Sequence, residues 1–171
     1  MSFKNNISIL IDYAHEPESM RQLLETAVSW KNKGEYNYII HIVSCDGAGR
    51  DDWKKPIMGK ISYDLADYSV VTLDNYDQRD NPNEILALLI QDYDKSKEEL
   101  KYFVTPSRQI AFETALKQAK KIIQSDSTHP FTKQVLIIST GVGTENGLTQ
   151  PNGKLDWNEK IKWTELFNQL N

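Results

Sequence analysis

Five short stretches of this chain concentrate residue types that can do chemistry: Asp12-Tyr13-Ala14-His15, Asp46 to Lys55, Asp74 to Pro82, Pro106 to Arg108, and Gly141 to Glu145. All are rich in Gly, Asp, Asn, Arg or His, while the sequence between them is bland. Several familiar chemistries fail on spacing. Gly47-Ala48-Gly49 is a fragment of a dinucleotide fingerprint whose third glycine position holds Asp52. A phosphate-cradling P-loop needs GxxxxGK[ST], but Gly59-Lys60 is followed by Ile61 and Gly153-Lys154 by Leu155. His41 and Cys45 are four apart and share a strand face, yet no third or fourth metal ligand accompanies them, so a buried pair is the better reading. No DxD follows the first strand, which argues against a dehalogenase-like phosphatase.

The elements that must position these stretches alternate. Ile7–Asp12, Tyr38–Ser44, Ser69–Leu73, Tyr102–Thr105 and Val135–Ser139 read as strands, the second as a near-continuous apolar run of the kind buried on both faces. Glu16-Pro17-Glu18 opens a helix, with Pro and acids in the first turn; Met20, Leu23, Leu24, Ala27 and Val28 share one face, and Gly34 ends it. Further helices are expected over Ile57–Asp67, Pro82–Tyr93, Ser107–Gln124 and Trp157–Leu170, with a loop over Gly47–Pro56. Lys95–Lys101 reads as a solvated helix end and Ser125–Thr132 as a floppy surface loop. Strands alternating with helices of this length predict an α/β, Rossmann-like three-layer sandwich, with a mostly parallel sheet of about six strands flanked by helices. In such a sheet the five stretches fall at the carboxyl ends of strands, where ligands of these folds bind.

Composition bounds the rest. With 171 residues, 39% hydrophobic and 26% charged, the chain is expected to form one globular domain over residues 1–171. Twenty basic against 24 acidic residues give a net charge of −4, which argues against binding a nucleic-acid backbone. Single Cys45 suits a reducing cytoplasm, and neither a signal peptide nor a membrane-spanning run is present. No apolar patch stands out, so a monomer is expected.

Taken together, the loops resemble the C-terminal domain of the Mur ligase family, most closely its tripeptide synthetases. Asp12-Tyr13-Ala14-His15-Glu16-Pro17-Glu18-Ser19-Met20 is similar to the family's DYAHxPxS(L/M) stretch. The run from Cys45 to Gly59 is similar to CGGxRDxxKRPxMG, with Lys55 for its arginine. Ala66-Asp67 with Val70 to Asn75 matches AD…VVTxDN, and Asn81 to Ile85 follows as EDPxxI. Arg108 and Ala111 echo DRxxAI, with Ser107 for the Asp, and Gly141 to Glu145 stands where the family has GKGHE.

The resemblance implies an ATP-dependent amide ligase of peptidoglycan precursor synthesis, of which this is the domain that positions the incoming amino acid. ATP and Mg would be held by a central ATPase domain and the UDP-sugar by an N-terminal one; the isolated domain would carry no cofactor, metal site or catalytic residue of its own. Arg50 resembles the arginine that clamps the amino-acid carboxylate, a task suited to a planar fork. Asp74 and Asn75 resemble the pair lining the amino-acid pocket. Gly141 and Glu145 resemble the positions meeting the substrate's distal amine, and Asp12, Tyr13 and His15 those facing the nucleotide. Asp77 stands where diaminopimelate-using members have the arginine of DNPR, in a loop one residue longer. That change favours a basic amino acid over diaminopimelate, unless Arg79 swings in.

Plainer readings stand beside these. Arg50 could be tied to Asp51 or Asp52, Asp74-Asn75 could be turn chemistry, Glu145 a surface acid, and His15 a cap or packing residue. Trp53, Trp157 and Trp163 read as packing residues, with Trp53 semi-exposed, and Lys54-Lys55 as a solvated pair. Val142 and Thr144 remove the Lys and His of GKGHE, which keeps open a stand-alone binding or scaffold module that has lost ligase chemistry.

Overall fold

The computed structural model describes residues 5–47, 49, 51–125 and 132–170. Strands β1 (Ile7–Ile11), β2 (Tyr38–Val43), β3 (Tyr68–Val71), β4 (Tyr102–Val104) and β5 (Val135–Ser139) form one sheet in the order β1-β5-β2-β3-β4. Every pairing in it is parallel. β2 and β5 lie at its centre because their apolar runs can be buried on both faces: all of β5 is buried, and β2 from Ile39 onward.

Side chains alternate between two cores. Ile40, Ile42, Val70 and Ile137 face α4 (Arg108–Gln124) and α5 (Glu159–Asn168), where Phe112, Ala115, Ala119 and Trp163 pack. Ile39, Val43, Val71, Leu136 and Ile138 face α1 (Pro17–Asn32), α2 (Lys54–Leu65) and α3 (Pro82–Leu89) through Met20, Leu24, Ala27, Met58, Ile61 and Leu89. Trp163 stacks on Phe112 at 4.2 Å and Trp157 meets it edge-on at 5.4 Å. Both tryptophans are therefore packing residues, as expected, whereas Trp53 is 64% exposed.

Several elements differ from expectation. Alongside the five-stranded sheet stands a separate antiparallel hairpin, β6 (Leu148–Gln150) and β7 (Gly153–Leu155), turning through Pro151-Asn152. Helix α2 begins at Lys54 rather than Ile57, since Pro56 fits a first helical turn. Lys54 and Lys55 are consequently not a solvated pair. Both are buried: Lys54 Nζ donates to Glu16 Oε1 at 2.7 Å, and Lys55 pairs with Asp52. Helix α3 stops at Leu89, and Tyr93 turns inward against Tyr63 and Tyr102. Within Lys95–Lys101, Lys95–Lys97 is an exposed single 3₁₀ turn. The expected surface loop Ser125–Thr132 lies, apart from its end residues, outside the described residues. So does Arg50.

Helix α2 crosses the end of α3 so closely that a Cβ on Gly59 would sit 1.7 Å from the Leu89 carbonyl oxygen. Backbone atoms cannot yield as a flexible side chain would. Gly59→Ala is expected to destabilise the fold by about 2–4 kcal/mol, read by urea denaturation; an unchanged midpoint would contradict this packing.

Candidate functional site

Because all five strands run parallel, their carboxyl ends and the five chemistry-bearing stretches share one edge of the sheet. The guanidinium of Arg108 is buried behind that edge. Ser107 caps α4, its Oγ accepting from the Ile110 amide at 3.3 Å, and so fixes where Arg108 leaves the helix. Arg108 Nε donates to Glu159 Oε1 at 2.6 Å, and its Nη2 pairs with the same carboxylate. Nη1 donates to Ser44 Oγ at 2.8 Å and to the Leu73 carbonyl at 3.4 Å; Nη2 donates to the Thr140 carbonyl at 2.9 Å and to Ser139 Oγ at 3.3 Å. Glu159 is 0% exposed, and its Oε2 accepts from Ser139 Oγ at 2.8 Å. One side chain thus ties the ends of β2, β3 and β5 to the starts of α4 and α5.

The expected site residues stand on this base. Asp74 is only 4% exposed. Its Oδ1 accepts from the Asn75 amide at 2.9 Å and from Asn75 Nδ2 at 3.2 Å, and its Oδ2 accepts from Ser44 Oγ at 3.3 Å. Asn75 in turn accepts from the Thr149 amide at 2.8 Å through Oδ1, which fastens the β6–β7 hairpin to the site, and its Nδ2 reaches Asp46 at 3.4 Å. Gly141, at φ +101°, lies against Asp74: a Cβ there would be 2.4 Å from Asp74 Oδ2 and 2.7 Å from Ser44 Oγ.

The turn after β5 also meets the loop after β1. Tyr13 donates its hydroxyl to Glu145 Oε1 at 2.7 Å, which raises the phenol's pKa, and its side chain lies close against Gly143. The Asp12 carboxylate accepts from the Ala14 amide at 2.8 Å, and His15 Nδ1 lies 2.9 Å from the Tyr13 carbonyl. Tyr13, His15, Asp46 and Glu145 are exposed, so this side of the edge is open to a ligand.

Asp77 stands apart from the buried network. Its carboxylate is held by Arg79, whose Nε donates at 3.0 and 3.1 Å, and this pairing lowers the carboxyl to about 2. Val142, which the resemblance sets at the lysine of GKGHE, is fully buried in the α4–α5 core, while Thr144 is exposed. His41 is a packed core histidine between Ser62 Oγ at 2.8 Å and Thr140 Oγ1 at 3.0 Å; burial, with Arg108 nearby, lowers it to about 3 and keeps it neutral. Sequence reasoning placed Ser107-Arg108 at a strand end without assigning Arg108 a role, and it missed Ser44 and Glu159.

Comparison with known proteins gives the family and the fold. The family model described as "Mur ligase, glutamate ligase domain" matches residues 1–125. A UDP-N-acetylmuramoyl-L-alanyl-D-glutamate–2,6-diaminopimelate ligase of Alkaliphilus metalliredigens is 30% identical over 154 residues, covering 86% of this chain and 30% of that protein. A solved ligase structure of the same name superposes with a TM-score of 0.74 at 20% identity, over 95% of this chain and 29% of the other. Mycobacterium tuberculosis folylpolyglutamate synthase complexed with ADP shares the fold at a TM-score of 0.52 and 16% identity, over 82% of this chain and 28% of the other. The matches span 21% to 30% of the length of the curated relatives.

Asp74 has a distinctive electrostatic setting. Burial pushes its carboxyl up to about 6, with Arg108 opposing and Asp46 and Glu159 adding to the rise. The folded-state value exceeds the ordinary 3.8. The native protein consequently holds an extra proton between about pH 4 and 6, and Asp74 lowers stability as pH rises through that window. Denaturation of wild type and Asp74→Asn across pH 4 to 7 should show wild type losing about 2–3 kcal/mol relative to the variant. Parallel profiles would contradict the assignment.

Proposed function

This chain belongs to the Mur ligase family through its glutamate ligase domain, and on that premise we propose that it holds the incoming amino acid in an ATP-dependent amide ligase of peptidoglycan precursor synthesis. The observation that carries the reading is the convergence of the Asp12, Asp46, Asp74 and Gly141 stretches on one sheet edge over a single buried scaffold. In the reaction class, a carboxylate activated as an acyl phosphate is attacked by an amine. The part for this chain is to fix that amine by proximity and to exclude water as the domains close.

ATP and Mg belong, in this reading, to a central ATPase domain, with a UDP-sugar domain as the third part. The residues present here do not fit those groups: the sequence has no GxxxxGK[ST], and the described residues contain no cluster of three metal-ligating side chains. The reading treats residues 1–171 as one domain, which is supported by Trp163 and Leu166 of α5 sharing a core with Ile7 and Val135. It also takes the chain as a cytoplasmic monomer; among the described residues no helix is long and apolar enough to cross a membrane.

We favour a basic amino acid as the substrate. A distal ammonium group would meet the exposed carboxylates of Asp46 and Glu145. Asp77 contributes less than its sequence position implies, because Arg79 already occupies its carboxylate. Diaminopimelate is the second reading. It is favoured by the names of the relatives and by Arg79, a cation close enough in sequence to replace the DNPR arginine. A scaffold without chemistry is the third, favoured by the burial of Val142 where the family has lysine.

Reconstitution with a P-loop module and its UDP-sugar acceptor separates them. The reading predicts ADP release that depends on lysine or ornithine, and a drop in kcat/KM of about 10- to 100-fold in Glu145→Gln. Preferential use of diaminopimelate would overturn the substrate choice; absence of product with every amino acid would favour the scaffold.

A further inference from the structure

The Arg108 network reaches further than an ion pair that merely holds two helices. The guanidinium has five N–H groups, and each finds an acceptor: the Glu159 carboxylate, Ser44 Oγ, the Leu73 and Thr140 carbonyls and Ser139 Oγ. Leu73 immediately precedes Asp74, Thr140 precedes Gly141, and Ser44 lies two residues before Asp46. The atoms Arg108 grips are therefore the last backbone or side-chain points before three of the loops that form the candidate amino-acid site.

We propose that Arg108 is a positioning residue, with Glu159 as its counter-charge, which sets the register between the Asp74–Asn75 loop and the Gly141–Glu145 turn. The assignment to an amino-acid pocket rests on the function proposed above; the structural coupling does not. The route is continuous: Glu159 to Arg108, to Ser44 Oγ, to Asp74, to Asn75, and through Asn75 Oδ1 to the Thr149 amide of the hairpin. The tight fit of Gly141 against Asp74 Oδ2 and Ser44 Oγ makes the two sides meet at the same point.

A buried ion pair kept for stability alone is often replaceable by apolar residues at little cost. That property gives the test its contrast. In the Arg108→Met, Glu159→Met double variant, the sheet amides should keep their protection in hydrogen exchange. The amides of Gly47, Asn75 and Thr149, all of which bond within or onto the Asn75 loop, should exchange at least about tenfold faster.

The carboxyl of Asp74, followed by NMR, should titrate higher than in wild type, because the Arg108 guanidinium that lowers it outweighs the Glu159 carboxylate that raises it and both are gone; the other charged or titratable groups around it are Asp46, Cys45 and Tyr13. Ser44→Ala, which breaks the link to Asp74 without touching a charge, should reproduce the faster exchange if the double variant does not fold. In a reconstituted ligase the same variants should raise the amino-acid KM about tenfold and leave the ATP KM unchanged. Loop amides and an Asp74 midpoint that match wild type in either folded variant would overturn the proposal. An inactive wild-type reconstitution would count against the proposed function alone, since the exchange and titration measurements need no catalysis.

Discussion

An arginine out of reach of water must find an acceptor for every N–H and a counter-charge for its guanidinium, or the fold pays several kcal/mol. Arg108 meets that demand only where the ends of β2, β3 and β5 lie side by side and Glu159 comes in from α5. Much of the functional edge follows from this constraint. Ser139 is drawn into the same network by donating to Glu159, and Thr140 both supplies a carbonyl to Arg108 and contacts His41. Truncating one member of such a pair strands the other charge, at about 3–5 kcal/mol.

Outward from the buried pair, the site becomes progressively more open. Asp74 and Asn75 spend their hydrogen-bonding capacity on Ser44, Asp46 and the hairpin, so in this conformation they shape the pocket more than they offer free groups to it. Gly141 and Gly143 adopt positive φ and lie where a side chain would collide with Asp74 and Tyr13, so the turn after β5 can hug both neighbours. Tyr13, His15, Asp46, Thr144 and Glu145 are among the groups left facing solvent. Two exposed carboxylates, Asp46 and Glu145, above a rigid base suit an amine-bearing ligand.

The fold was legible in the sequence because its central strands are unambiguous: the apolar runs at Tyr38–Val43 and Val135–Ser139 are too short for helices and too apolar for an edge. Strand-end loops could be located for the same reason, and the family motifs singled out Asp74, Asn75 and Gly141 within them. What stayed hidden depends on contacts between distant residues. Two adjacent lysines ahead of a proline look solvated, yet Lys54 and Lys55 are buried and paired with acids at the N-cap of α1 and on their own loop. The hairpin strands are three residues each with no apolar alternation; only Pro151-Asn152-Gly153 marked a turn. Arg108 sat in a recognised motif, but its partners lie 31 to 64 positions away, and Glu159 is separated from it by 51.

The claim that the carboxyl edge of the sheet receives an amino acid is tested most directly by titrating lysine into this chain and mapping amide chemical shifts. The account predicts saturable changes confined to the loops at residues 12–15, 46–47, 74–77 and 141–145. Saturable changes centred instead on the groove between β1 and α5, at Ile9, Ile11 and Trp163, with the strand-end loops unmoved, would contradict it.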